Sequence, residues 1–159
     1  MNESSCSSVF QTQLRRALPG AEVIKHRDGT MIGMVDASVT ARKKTLWVEY
    51  KFIGPQTKGV TADFMKKGQW SPELVAKASP TQYDMACRLA RAGRCIYLFW
   101  VLDPFAVRKR VAYVQMWHPI TLKQISLEDT SEAVFRVCQF FKPEESTVPQ
   151  LFKEFFEST

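Results

Sequence analysis

Gly33-Met34-Val35-Asp36 and, thirteen residues after the aspartate, Glu49-Tyr50-Lys51 are the stretches on which the reading of this chain turns. Each lies in a short apolar-rich segment. Segments 32–40 and 45–53 predict two strands, joined through the basic turn Arg42-Lys43-Lys44. Residues two apart along a strand share a face. Val35, Ala37 and Val39 then form one face of the first strand, and Asp36, Ser38 and Thr40 the other. In the second, Val48, Tyr50 and Phe52 oppose Trp47, Glu49 and Lys51. An even-length loop centred between Arg42 and Lys43 puts Asp36 across from Glu49, and directly opposed Cβ atoms lie about 4.5–5.5 Å apart.

Two carboxylates that close repel each other unless positive charge sits between them. Magnesium suits such a pair, because it takes oxygen ligands and is often held by one or two carboxylates. Lys51, next along the same face, is placed to orient an attacking water or to stabilise phosphate charge. The plainer alternative is a solvent-facing hairpin carrying a Glu–Lys pair.

Outward from this pair of strands, 9–18 has helical spacing in Val9, Phe10, Leu14, Ala17 and Leu18, and ends at Pro19-Gly20. The Ser-rich start, 1–8, reads as frayed. A strand is expected over 21–26 and a turn at Asp28-Gly29. Residues 54–80 form a long excursion rich in Gly, Pro and Lys, and connections of that length carry function or small elements of their own. A helix over 82–92 follows, capped by Ser79 or Thr81 and ended at Gly93. Apolar strands come next at 95–102 and 111–117, separated by a turn with Pro104 and Arg108-Lys109-Arg110, and then helices at 131–141 and 149–156. This order is α/β, a mixed sheet with helices on its faces. Leu151, Phe152, Phe155 and Phe156 give the last helix a greasy face, for packing on its own domain or for a homodimer seam.

At 159 residues the chain is one domain's worth, 45% hydrophobic, and long enough to bury a core. Twenty-two Lys and Arg against 16 Asp and Glu leave a net charge of +6, which favours polyanionic partners, nucleic acid first. The four cysteines, Cys6, Cys87, Cys95 and Cys138, have no metal-ligand spacing and read as reduced thiols in a cytoplasmic protein. The polar start predicts no signal peptide, and no apolar run predicts a membrane span. Ser, Cys and His show no arrangement for nucleophilic catalysis; His26 and His118 stand isolated.

Gly-Met-Val-Asp, then Val-Glu-Tyr-Lys closing an apolar run, then a helix opening Ser-Pro-Thr-Gln and ending Ala-Gly before an apolar strand resembles the PD-(D/E)XK nuclease superfamily. Its small VRR-NUC and Holliday-junction-resolvase-like branches are the most similar. The resemblance covers roughly residues 9–102 and rests on the order and spacing of short motifs. It implies a restriction-endonuclease-like mixed central sheet flanked by helices. The expected division is a nuclease-like domain over 9–125, with 54–80 inserted, and a C-terminal helical extension over 126–159 packed on the same domain. By resemblance Asp36 and Glu49 are metal ligands, Lys51 acts on the nucleophilic water, and Gln82 reaches the site from its helix.

Two departures from the family pattern stand out. Val35 replaces the usual proline. Where many members carry a glutamate on the first helix, this chain has Gln11 and Gln13. Gln13 is the possible additional ligand, with Glu3 or Glu22 as substitute acids. Arg42, Lys43, Lys44, Lys66, Lys67 and Arg88 are the expected nucleic-acid contacts, giving salt-dependent, sequence-independent binding. Phe64 and Trp70, flanking Lys66 and Lys67, either stack on nucleic acid or fold the excursion down.

The function implied is a Mg²⁺-dependent DNA endonuclease, with Mn²⁺ as a substitute and no small-molecule cofactor. Its substrates are expected to be junction, flap or nicked DNA, its products to carry 5′-phosphate and 3′-hydroxyl ends, and a homodimer is possible. The rival is a catalytically inactive nuclease fold that binds nucleic acid or a partner. A metal-independent RNA-binding domain has only the charge in its favour.

Overall fold

The computed structural model describes residues 3–26, 33–54, 72–102, 111–120, 138–139, 152–153 and 156–157. The elements are α1 (Glu3–Ala17), β1 (Glu22–Lys25), β2 (Ala37–Ala41), β3 (Lys44–Ile53), α2 (Pro72–Lys77), α3 (Pro80–Ala92), β4 (Cys95–Leu102), β5 (Val111–Trp117) and β6 (Cys138–Gln139). The six strands form one mixed sheet in chain order. β1, β2 and β3 make an antiparallel meander, β4 runs parallel to β3, and β5 and β6 add antiparallel strands. Parallel neighbours cannot be joined by a hairpin, so the chain between β3 and β4 crosses over the sheet, and α3 lies in that crossover.

Arg42 and Lys43 form the two-residue turn between β2 and β3, with φ of 49° and 63°. Two successive left-handed residues match the right-handed twist of a hairpin. The turn sets the register, pairing Thr40 with Thr45 and Ala37 with Val48. Lys44 lies in β3 rather than in the turn, because the loop takes only two residues.

The alternation read from the sequence sorts the sheet into two faces. On one, Tyr50 and Trp100 lie beneath α1, where Phe10 meets both rings edge-on at centroid distances of 6.1 Å. Phe152 adds to this cluster at 5.2 Å from Phe10, and Phe152 and Phe156 lie in helical residues at 0% and 1% exposure. The described part of the greasy C-terminal face is thus taken up within the chain. The other face carries Trp47, Glu49 and Lys51 from β3 and Cys95, Tyr97 and Phe99 from β4, in register. α3 covers it. All eight residues of β4 are buried, as expected of a central strand closed on both faces.

Several boundaries differ from expectation. α1 begins at Glu3, and Cys6 and Ser7 are buried, so the serine-rich start is helix rather than frayed chain. Cys6, Phe10 and Leu14 form one apolar stripe at i, i+4 and i+8, which supplies the packing that serine propensity lacks. Residues 33–36 precede β2 instead of belonging to it. Ser79 stands at the start of α3 without a side-chain cap; Pro80 opens the helix, and the Ser79 carbonyl accepts the Tyr83 N–H at 3.0 Å. Cys138 and Gln139 are strand, not helix, because they pair with Val114 and Tyr113 of β5 and cover what would be an open sheet edge.

Asp28-Gly29, Lys58, Phe64, Lys66, Lys67, Trp70, Pro104 and Arg108-Lys109-Arg110 lie outside the described residues, as does most of 131–141. Among the described residues, no helix is long and apolar enough to cross a membrane.

Candidate active site

The register places Asp36 one step beyond the Ala37–Val48 pair, on the line that leads to Glu49. The ladder stops there, and Asp36 turns its carboxylate to the next strand's backbone. Its Oδ2 accepts the Tyr50 N–H at 2.7 Å, and its carbonyl accepts the His26 N–H at 2.7 Å. Asp36 is therefore held at both ends, between β1 and β3.

Glu49 is fully buried, which excludes the solvent-facing hairpin. Lys51 Nζ lies 2.8 Å from Glu49 Oε1, and the lysine side chain retains 15% exposure. The same ammonium donates to Gln82 Oε1 at 2.9 Å. Gln82 sits in the first turn of α3, so one lysine ties the acid-bearing strand to the crossover helix.

Gly33 explains how that helix end comes so close. Its φ is +80°, and a Cβ placed on it would stand 2.8 Å from the Thr81 carbonyl oxygen. The chain leading to Asp36 passes directly against the residue before Gln82. A side chain at 33 would push the two segments apart. Gly33, Asp36, Lys51 and Gln82 thus belong to one convergence of β2, β3 and α3.

His26 and Tyr97 share this face, and nothing in the sequence singles them out for it. The His26 ring stacks on Trp47 at 5.5 Å and 28°, with Nε2 3.1 Å from Ser38 Oγ. Burial pushes its imidazole below the ordinary value, and the Asp36 carboxylate pulls the other way. A continued β1–β2 pairing would have linked residue 26 to Asp36, since Lys25 pairs with Ala37. Tyr97 is the β4 partner of Glu49 and is completely buried. Burial pushes the Cys95 thiol strongly up, and the Glu49 carboxylate adds to the effect, so Cys95 stays a neutral thiol.

The first helix contributes differently. Gln11 Nε2 reaches the Tyr50 hydroxyl at 3.5 Å, on the face of the sheet opposite Glu49. Gln13 lines a cavity of about 280 Å³ with Ser8, Val9, Thr12 and Arg16; Asp36, Glu49, Lys51 and Gln82 do not line it. Glu22 is exposed and pairs with Thr40, toward the other end of β2. Among the described residues no three His, Cys, Asp or Glu side chains gather as a metal site. The oxygens on offer are Asp36, Glu49 and the neutral Gln82 Oε1, a donor set suited to a hard cation such as magnesium.

Arg42 and Lys43 are exposed at the hairpin tip, with Arg42 3.9 Å from Glu157, and Lys44 is half-buried in β3. Arg88, Arg91 and Arg94 are exposed on α3 and at its end. No protein-family model matches the chain, and no curated protein matches it.

Proposed function

We propose that this chain is a metal-dependent DNA endonuclease on a restriction-endonuclease-like fold. The observation that carries the reading is the Lys51 ammonium set between Glu49 and Gln82, with Asp36 one step past the Ala37–Val48 pair and anchored to the Tyr50 N–H. A mixed sheet with α1 on one face and α3 on the other supports the fold assignment.

In this reading Asp36 and Glu49 hold a Mg²⁺ or Mn²⁺ ion, which when bound lowers the pKa of water and offsets charge on the phosphodiester. Lys51 orients the attacking water or meets the phosphate, and Gln82 holds Lys51 on line. Tyr50 N–H fixes the Asp36 carboxylate, so one ligand is preorganised by backbone rather than by a mobile side chain. The exposed Arg42, Lys43 and Arg88 supply phosphate contacts that carry no base information. Structure-specific cutting of junctions, flaps or nicks, a cytoplasmic location and a homodimer belong to the same proposal.

The test is incubation with labelled junction, flap and duplex DNA in Mg²⁺, Mn²⁺ or EDTA, beside Glu49→Ala and Lys51→Ala. Cleavage that needs the metal and disappears in both variants is expected. Cleavage that survives both sinks the site assignment.

A second reading, a nuclease fold that binds DNA or a partner without cutting, is favoured by the fate of the helix acid. Glutamines stand in its place, with Gln11 drawn to Tyr50 and Gln13 to its own cavity. Salt-sensitive DNA binding by a chain that cuts nothing would select it.

A further inference from the structure

The sheet face that carries Glu49 is closed on one side and open on the other. α3 packs over β3 and β4, where Glu49, Tyr97 and Phe99 are fully buried. Over β1 and β2 the same face reaches solvent. Ile24 is 51% exposed there, and His26, Thr40, Thr45 and Trp47 are half-buried. The Trp47 indole and the His26 imidazole lie stacked on this open part, with centroids 5.5 Å apart and planes at 28°. His26 Nε2 stands 3.1 Å from Ser38 Oγ, which fixes the ring in place. A flat aromatic pair, half in water and beside an exposed isoleucine, is a surface on which a nucleobase can extend the stack.

The ledge adjoins the proposed cation site. His26 donates its backbone N–H to the Asp36 carbonyl at 2.7 Å, so the imidazole rises from the residue opposite Asp36. On the other side, the Trp47 N–H is bonded to the Arg94 carbonyl at 2.9 Å, where the end of α3 meets β3. Arg91 and Arg94 at that end, and Lys43 at the hairpin tip, are exposed. A phosphate backbone can follow these cations while a base lies on the rings. An acid, the exposed Glu22, marks the outer edge of the face and turns the backbone away from it. Stacking needs a free base face, and in a continuous duplex both faces of each base are covered by its neighbours. The inference rests on the reading of the chain as a DNA endonuclease. We propose that the Trp47–His26 pair is a stacking platform for an unpaired nucleotide beside the phosphate that is cut. The substrate class is then duplex DNA with a single-stranded tail, flap or gap; a nick or a fully paired junction lacks the recognised element.

Binding in EDTA tests this without any cleavage. The probes are a fluorescein-labelled blunt hairpin duplex and the same hairpin with a single-stranded oligothymidine tail, followed by anisotropy. The native chain should bind the tailed hairpin at least about tenfold more tightly, within the range for stacking one base on an aromatic side chain. His26→Ala should remove most of that preference and leave the affinity for the blunt hairpin unchanged, whereas His26→Phe, which keeps a ring, should retain it. Equal affinity of the native chain for the two hairpins overturns the proposal, as does a preference that survives both His26→Ala and Trp47→Leu. If those two variants do not fold, tryptophan emission decides. The tailed hairpin should quench it in the native chain, and less in Trp47→Phe; equal quenching overturns the proposal. A chain that prefers the tailed hairpin through these rings and cuts nothing in Mg²⁺ sinks the endonuclease reading and leaves the platform standing. A chain that cuts in Mg²⁺ with no such preference sinks the platform alone.

Discussion

Lys51 and Glu49 form an ion pair of 2.8 Å in which the acid is fully buried and the base is 15% exposed. A buried pair of this kind is weak as a source of stability but severe when halved. Lys51→Ala should therefore destabilise the fold by about 3 kcal/mol, the low end for such pairs because Lys51 still reaches water. Replacing both residues together by Met should restore most of the loss while abolishing any cleavage. Urea denaturation of the three proteins checks this; equal losses in the single and double variants would show that the pair is not the cause.

Asp36 has a structural duty separable from its charge. Its Oδ2 satisfies the Tyr50 N–H at 2.7 Å. Asp36→Ala leaves that donor unmet and should cost about 1–3 kcal/mol. Asp36→Asn keeps an acceptor oxygen and should melt near the native temperature, while losing Mn²⁺ binding. Calorimetric melting alongside Mn²⁺ titration separates the two, and retained Mn²⁺ affinity in the asparagine variant would remove Asp36 from the ligand set.

Gly33 and Gly20 offer a matched comparison. Both have left-handed backbones, at φ of +80° and +84°. A Cβ at 20 meets nothing within 4 Å, whereas one at 33 meets Thr81 backbone at 2.8 Å. Gly20→Ala should cost about 1–2 kcal/mol, the left-handed penalty alone. Gly33→Ala should cost clearly more, and should also cut activity by displacing Gln82 from Lys51. Equal losses at the two positions would mean that α3 yields to the methyl group.

His26 makes stability depend on pH. Its pKa is lowered in the folded chain, so below the ordinary value of 6.5 the unfolded chain binds the proton first. Stability should fall as pH drops through 6.5 and level off below the folded pKa. Above neutrality the imidazole is neutral in both states and contributes no slope. Denaturation midpoints of the native chain and His26→Gln, compared from pH 8 to 5, should converge at the acid end; parallel curves would refute the assignment.

The meander is legible in the sequence because parity and turn length are local. Alternation in 45–53 sorts Glu49 and Lys51 from Val48 and Tyr50, and a loop centred on Arg42 and Lys43 implies the register in which Ala37 pairs with Val48. β4 and β5 are readable to the residue, since a run of eight apolar residues, and one of seven interrupted only by Gln115, admit little else. The start of α1 is not, because its serines argue against helix and only the burial of Cys6 and Ser7 outweighs them. β6 reads as helix from its own spacing, because two residues at a sheet edge owe their state to β5.

Which side chains share a face, and which residue opposes which, are written in the chain itself, since both follow from a period of two and a two-residue turn. What covers that face comes from the fold. α3 turns a polar stripe into a buried carboxylate with one lysine, brings Gln82 to it and closes over Tyr97, while Gln13 is left elsewhere. Burial and convergence depend on contacts between segments far apart in the chain, and no local pattern encodes them.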